Sequence, residues 1–445
     1  MRALGASRTS VVPGGALAGG WTRNPLWKTA RAVPSLDLRF ADNKTLGDAV
    51  GGGSLVTFTR ASTATFTGSD GLIQTAAANA PRFDHNPTTG ESLGLLVEEA
   101  RTNLCLQSEN FSTTWTTFRA SVSANATAAP DGNTTADKIV EDTTATNSHG
   151  LQQASISFTS GTSYTFSVYV KAAERANIRL TLPAAAFTSA LASQFNLALG
   201  TTTTISAGAT ATIAALQSDW YRCTMTATAT ATVSSTISLQ IGENSTSTTV
   251  NYTGDGTSGI YAWGAQLEAG AFPTSYIPTT TATVTRAADV ASITGSNFSS
   301  WYNQTASTIY SEAASSSGAA YTGNIYGFGT SFNDSISHYR QVDFQPVARV
   351  RTASVDEYGA IGNGPIWTGT SLNKFAIALA TTSGRQASNG ALTSGSDDSS
   401  IVFPTVSSVS IGSAFTSGYL NGTIKRLTFW PTRLSNTVLQ QITQP

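Results

Sequence analysis

Few residues in this 445-residue chain have the types and spacing that bond-making chemistry demands. Glu98-Glu99 and Asp397-Asp398 are adjacent acids. Neighbours on a strand point to opposite faces, so neither pair sets the carboxyl separation of glycoside hydrolysis. His85, His149 and His338 lie far apart, and two cysteines, Cys105 and Cys223, make no disulfide framework. No metal spacing exists, and no cofactor is expected. There is no G-x-S-x-G elbow, H-E-x-x-H pair or phosphate loop. What remains is aromatic. A sugar site needs a ring to stack on the sugar's C–H face, with amides and carboxylates around it. Trp115, Trp220 and Tyr169 are the candidates in the middle of the chain, and Trp367, after the Gly-rich IGNGPI, is the candidate further on. Tyr169 stands beside Lys171 on the outer face of its strand and is expected to be exposed. Trp263, amid small alternating residues, reads as core, and Trp430, before Pro431, reads as packed under a terminal helix.

Sheets must hold these side chains. From Tyr164 to Lys171 the alternation is strict, with Tyr164, Phe166, Val168 and Val170 on one face and Thr165, Ser167, Tyr169 and Lys171 on the other. Burying the first set is worth about 1.5–3 kcal/mol per large side chain, which fixes the register. Ile178, Leu180 and Leu182 repeat the period, as do Ile237, Leu239 and Ile241. Residues 105–270 therefore read as a sandwich or jelly roll. Gly254 to Asp289 organises the chain. It is a turn, then a strand in which Ile260, Ala262 and Gly264 alternate with Tyr261, Trp263 and Ala265, then a linker over 271–285. Residues 286–445 read as a second sandwich, with Phe375, Ile377 and Leu379 alternating with alanines and hairpin signals at Asn389-Gly390 and Asn421-Gly422. A short helix follows Pro431, with Ser435 as N-cap and Leu434 and Leu439 as a hydrophobic staple. Leu36, Leu38, Phe40, Val56 and Phe58 give residues 35–104 strands too. Either this segment joins the C-terminal sandwich, leaving the middle domain as an insertion, or it is a small β-domain of its own.

Composition agrees with this class. Only 11% of residues are charged, 40% are hydrophobic, and Thr and Ser take the place of surface Lys and Glu. The fold class is all-β: tandem β-sandwich or jelly-roll domains with an extended N-terminal arm and one short C-terminal helix. A net charge of −1 argues against nucleic acid as a partner of the whole molecule. No stretch approaches a membrane span, and VVPGGALAGG is too weakly apolar for a signal peptide, so none is read. Residues 1–34 hold five bases and no acid, with no sustained period. They are expected to lie against a partner, with Trp21 and Trp27 as anchors beside Arg23 and Lys28, so that their deletion leaves a folded protein.

Three stretches carry a resemblance. They are PRFDHNPTTGESLGLLVEEARTNL (81–104), GDGTSGIYAWGAQLEAGAFPTSYIPTTTATVTRAAD (254–289) and GYLNGTIKRLTFWPTRLSNTVLQQIT (418–443), with Thr59-Arg60-Ala61 echoed by Thr285-Arg286-Ala287. These resemble tailed-bacteriophage and prophage structural proteins that join a carbohydrate-binding-module-like jelly roll to a concanavalin A-like, laminin-G-type sandwich. The resemblance implies a virion protein, most of all a tail-fibre or receptor-binding appendage subunit. It would be a homotrimer assembled in the host cytoplasm, joined to other virion proteins through residues 1–34 and contacting host-surface polysaccharide. A capsid-surface decoration protein, a baseplate subunit and a polysaccharide-degrading tailspike are the alternatives, and no enzymatic activity is expected. Modules like the middle domain often hold a structural calcium, but no ligand cluster here carries that over.

Overall fold

The computed structural model describes residues 24–243, 250–361, 367, 370–393, 400–415 and 417–445. Two β-sandwiches account for most of them, built from four large antiparallel sheets with a few short helices. In the middle sandwich one six-stranded sheet runs in the order Ala209–Ala215, Trp220–Thr228, Ser163–Ala172, Gly259–Ala269, Ala136–Glu141, Ala120–Thr127. The facing sheet runs Thr201–Ile205, Leu191–Asn196, Asn177–Leu182, Val233–Gly242, His149–Phe158, Thr116–Phe118. Phe166, Val168 and Val170 from the first meet Leu180, Phe195 and Leu239 from the second in one core.

The alternation of the Gly259–Ala269 strand breaks at one place. Trp263 lies on the outer face, yet Ala265 and Leu267 are back in the core with Ile260 and Ala262. The register against the Ser163–Ala172 strand shifts between Ser167 and Tyr169, and Gly264 sits at φ +64°. One extra residue at this bulge moves Ala265 off the face expected for it. A Cβ at position 264 would come within 2.8 Å of the Tyr169 ring, so glycine is required twice over.

The second sandwich is discontinuous in sequence. Its eight-stranded sheet includes Ala306–Ser315, Asn373–Ala380 and Gly422–Trp430 together with Phe83–His85 and Ser92–Val97, while Leu36–Leu38 pairs with Gly422–Trp430. Its seven-stranded sheet begins with Thr57–Thr59 paired to Val290–Thr294 and continues through Ser408–Ile411, Gly323–Ser331, Asp334–Arg340, Pro346–Thr352 and Val355–Ile361. Leu36, Leu38, Phe58, Leu95 and Val97 share one core with Ile309, Phe328, Ile377 and Phe429. A two-stranded neck, Arg101–Asn103 against Val284–Arg286, is where the chain leaves this sandwich and returns to it.

Above that neck lies a buried charge cluster. Asp289 meets Arg60 at 3.0 Å and Arg82 at 2.5 Å. Glu98 meets Arg82 at 2.8 Å and Arg286 at 3.6 Å, and all five side chains are buried. Ser275 donates to Glu98 through both its amide (2.8 Å) and its hydroxyl (2.7 Å). The echo of Thr59-Arg60-Ala61 in Thr285-Arg286-Ala287 thus has a physical reason: both arginines face Asp289, Arg60 at 3.0 Å and Arg286 at 3.9 Å.

The arm expected to be aperiodic and turned outward is otherwise in its described part. Asn24 caps the helix Pro25–Ala30, accepting from the amides of Leu26 (3.1 Å) and Trp27 (3.4 Å). Trp27 is buried and donates from Nε1 to the buried Asp37 at 3.0 Å. Ala30 packs beside Trp430, Leu439 and Ile442, and Trp430 Nε1 donates to the Ala32 carbonyl at 3.0 Å. Trp27 therefore anchors the segment to its own sandwich rather than offering an exposed ring. Lys28 is exposed on the helix, and Trp21 and Arg23 lie outside the described residues. These contacts give residues 24–34 a share in the packing of the C-terminal sandwich. Asn421-Gly422 is likewise no hairpin tip. Asn421 (φ +46°) turns its side chain to accept the Glu99 amide at 2.9 Å, and Gly422 opens a strand paired with Ala306–Ser315.

Candidate functional site

Each aromatic residue singled out for sugar binding is buried. Trp115 packs on Phe111 at 5.2 Å and donates to the Leu106 carbonyl at 3.1 Å. Trp220 donates to the Ala128 carbonyl at 3.2 Å. Trp367 stacks near Phe375 at 5.1 Å inside the C-terminal core. Tyr169 does occupy the outer face of its strand, but only 5% of it is accessible. That face is roofed by other parts of the chain. Tyr276 from the linker packs 6.0 Å from the Tyr169 ring, and the hairpin Ala64–Thr67 with Ile73–Ala76 is tied over it. Thr65 Oγ1 donates to the Tyr276 carbonyl (2.5 Å), and the Ile73 amide to that of Pro130 (2.9 Å).

The roof leaves a cleft of about 460 Å³ at the junction of the two sandwiches, lined among others by Tyr169, Arg222, Asp84, Glu98 and Ser275. Arg222 is held by the Thr274 carbonyl (2.8 Å) and Ser167 Oγ (3.0 Å). Burial pushes the Asp84 carboxyl up to about 6, against the opposing pull of the Thr67 amide and Arg82. Burial would also raise Glu98, but Arg286, Arg82 and Ser275 outweigh it and hold that carboxyl at about 2. Two carboxyls driven apart in this way form the pattern of a general acid beside an ionised partner. Glu98, however, spends its oxygens on Arg82 and Ser275 and serves as counter-charge for the cluster.

The combination sought in sugar sites, an accessible ring with polar groups around it, is found elsewhere, on the outer face of the seven-stranded sheet. In Asp334–Arg340, Ile336 and His338 point inward, so Ser335, Ser337 and Tyr339 point out. Those serines and Tyr339 floor a groove of about 440 Å³, with Phe332 and Val342 (44% and 57% exposed) at its edges. Phe332 sits at the tip of the hairpin between Gly323–Ser331 and Asp334–Arg340, its ring 5.1 Å edge-on from Phe415. Asn324 lines the groove while only 1% exposed. It donates from Nδ2 to the Gly418 carbonyl at 2.8 Å, and its Oδ1 has no hydrogen-bond partner among the described residues. Asp343 is exposed, and Arg349 is turned onto Asp356 at 2.7 and 3.0 Å. The sequence held a readable sign of this place: Ser331-Phe332-Asn333-Asp334 puts a large ring where a turn wants small or polar residues.

Among the described residues no group of three His, Cys, Asp or Glu side chains could hold a metal ion. Both cysteines are buried, and burial drives both thiols upward.

No family model matches the sequence, and no curated protein matches it. Solved structures offer distant likenesses. The CBM40 of Ruminococcus gnavus IT-sialidase, bound to α2,6-sialyllactose, is 17% identical over 32% of this chain and 84% of its own, with a TM-score of 0.27. Domains LG4-5 of the mouse laminin α1 chain give 12% identity over 64% and 85%, with a TM-score of 0.20. Trypanosoma rangeli sialidase in complex with sialic acid gives 10% over 69% and 60%, at 0.27. These are likenesses of β-sandwich folds, too distant to carry over a ligand or an activity.

Proposed function

We propose that this chain is a structural subunit of a bacteriophage virion, a tail-fibre or receptor-binding appendage protein whose Phe332 groove contacts host-surface glycans. The glycan part rests on the groove itself: an accessible ring, the Tyr339 ring on its floor, and the Asn324 amide oxygen, which has no donor among the described residues. The virion part rests on the three stretches that resemble phage structural proteins. In this reading the protein binds without cleaving, acts as a homotrimer, and joins other virion proteins through the segment before Asn24.

A glycan array probed with the full chain and with Phe332→Ala is the test. The wild type should bind a defined set of glycans, and the variant should bind them at least about tenfold more weakly (~1.4 kcal/mol) with its unfolding temperature unchanged. An array without signal, or equal binding by the variant, would remove the groove's role. Mass spectrometry of purified particles should find the chain, and its absence would remove the virion assignment. Release of reducing ends from host polysaccharide would replace the binder with an enzyme.

A further inference from the structure

The other sheet of the middle sandwich presents a different chemistry. Asn177–Leu182 lies between Leu191–Asn196 and Val233–Gly242, and its Ile178, Leu180 and Leu182 point into the core. Arg179 and Thr181 therefore stand on the opposite face. The register places Gln194 directly across from Arg179 on one side and Gln240 on the other. In the next row Thr181 and Ser238 share a hydrogen bond, with Gln152 across from Ser238.

Arg179 is half-buried, with Nε out of solvent and without a partner among the described residues, and Oε1 of Gln240 is in the same condition. Among the described residues no carboxylate compensates it: burial alone displaces its pKa, downward. Arg39, Arg82, Arg101, Arg175 and Arg349, by contrast, each pair with an Asp or Glu, and Arg222 and Arg340, which do not, are held by backbone carbonyls. A partly desolvated guanidinium is ordinarily paired. Here its in-register neighbours are neutral amides, which suit a hydroxyl-rich ligand with a single charge. A phosphate dianion would call for more than one cation.

We propose that this face, centred on Arg179 with Gln240 and Gln152 around it, binds a carboxylated sugar residue. The guanidinium takes both oxygens of one carboxylate in parallel N–H···O bonds, and the glutamine amides donate to and accept from ring hydroxyls. The face belongs to the middle sandwich, whereas the Phe332 groove belongs to the other, so the two sites stand or fall separately.

Calorimetric titration of the full chain with a panel of hexuronic and ulosonic acid oligosaccharides tests this, with their carboxyl-reduced forms as neutral counterparts. At least one acidic member should bind, and its reduced form should bind at least about tenfold more weakly. Arg179→Gln should abolish the preference for acid. Arg179→Lys, which keeps the charge and loses the fork, should weaken acid binding by about tenfold. Phe332→Ala should leave it intact. Should Arg179→Gln fail to fold, Gln240→Ala serves as a second variant, with weaker acid binding expected. Binding of no member, equal binding of acid and reduced forms, or a preference that survives Arg179→Gln would overturn the proposal. So would complete displacement by equimolar inorganic sulfate, which would mark a generic anion site.

Discussion

Asp289 neutralises Arg60 and shares Arg82 with Glu98. Asp289→Ala would strand the Arg60 guanidinium in a site closed to water and leave Glu98 alone to serve both Arg82 and Arg286. Breaking a buried pair costs about 3–5 kcal/mol. The expected outcome is a fall of that size in unfolding free energy, measured by denaturant titration, and a loss under about 1 kcal/mol would mean that water enters the cluster. Two carboxyls nearby respond to pH with opposite sign. Asp84, raised to about 6 from an ordinary 3.8, takes up a proton on folding. Its contribution is complete below about pH 4 and lost as pH rises through 6. Glu98, held at about 2 against an ordinary 4.5, contributes fully above pH 4.5 and loses its contribution as pH falls towards 2. Asp84→Asn should therefore raise the unfolding temperature at pH 7.5 and leave it unchanged at pH 4. An equal change at both values would mean that Asp84 does not titrate in this window.

At the scale of elements, the helix Pro25–Ala30 is a clasp on the second sandwich. Trp27→Ala would empty a buried site and remove a donor from Asp37. A loss of about 3–5 kcal/mol is expected in chemical denaturation, as for a core tryptophan. An unchanged midpoint would mean that the helix rests on the sandwich without holding it. What could be read from the sequence and what could not divide along the same line. The alternation of Tyr164 to Lys171 is local and survives intact, because one face of that strand is core. The fate of its other face is decided by Ile73 and Tyr276, about a hundred residues away on either side, so nothing near Tyr169 could announce its burial. The bulge at Gly264 hides in a run of small residues that fits either register. Phe332 was legible as a misfit in a turn, a weaker signal than three tryptophans and a tyrosine, and the only one of the five that reaches solvent. Arg179 looked like any polar residue on a strand, and only the register reveals its neighbours.

For the whole molecule, the middle sandwich closes its own core between Cys105 and Leu267 and is attached through a neck whose two strands are neighbours. Residues 104–283 expressed alone should fold and melt cooperatively, read by circular dichroism and amide dispersion in NMR. A molten product would show that the hairpin over Tyr169 is part of the domain's stability. Residues 286–445 alone should not fold, because they lack the strands Leu36–Leu38, Thr57–Thr59, Phe83–His85 and Ser92–Val97.

The placement of Gly422–Trp430 governs what happens on the ribosome. This strand lies between Ala306–Ser315 and Ser92–Val97 and also pairs with Leu36–Leu38, both of which leave the ribosome long before it. The nascent chain must keep those early strands waiting while the middle sandwich forms. A chain stopped before Gly422 would carry one finished domain and one set of unpaired strands, visible at once to proteases. The arrival of this one strand thus decides whether the early segment is sheltered or degraded.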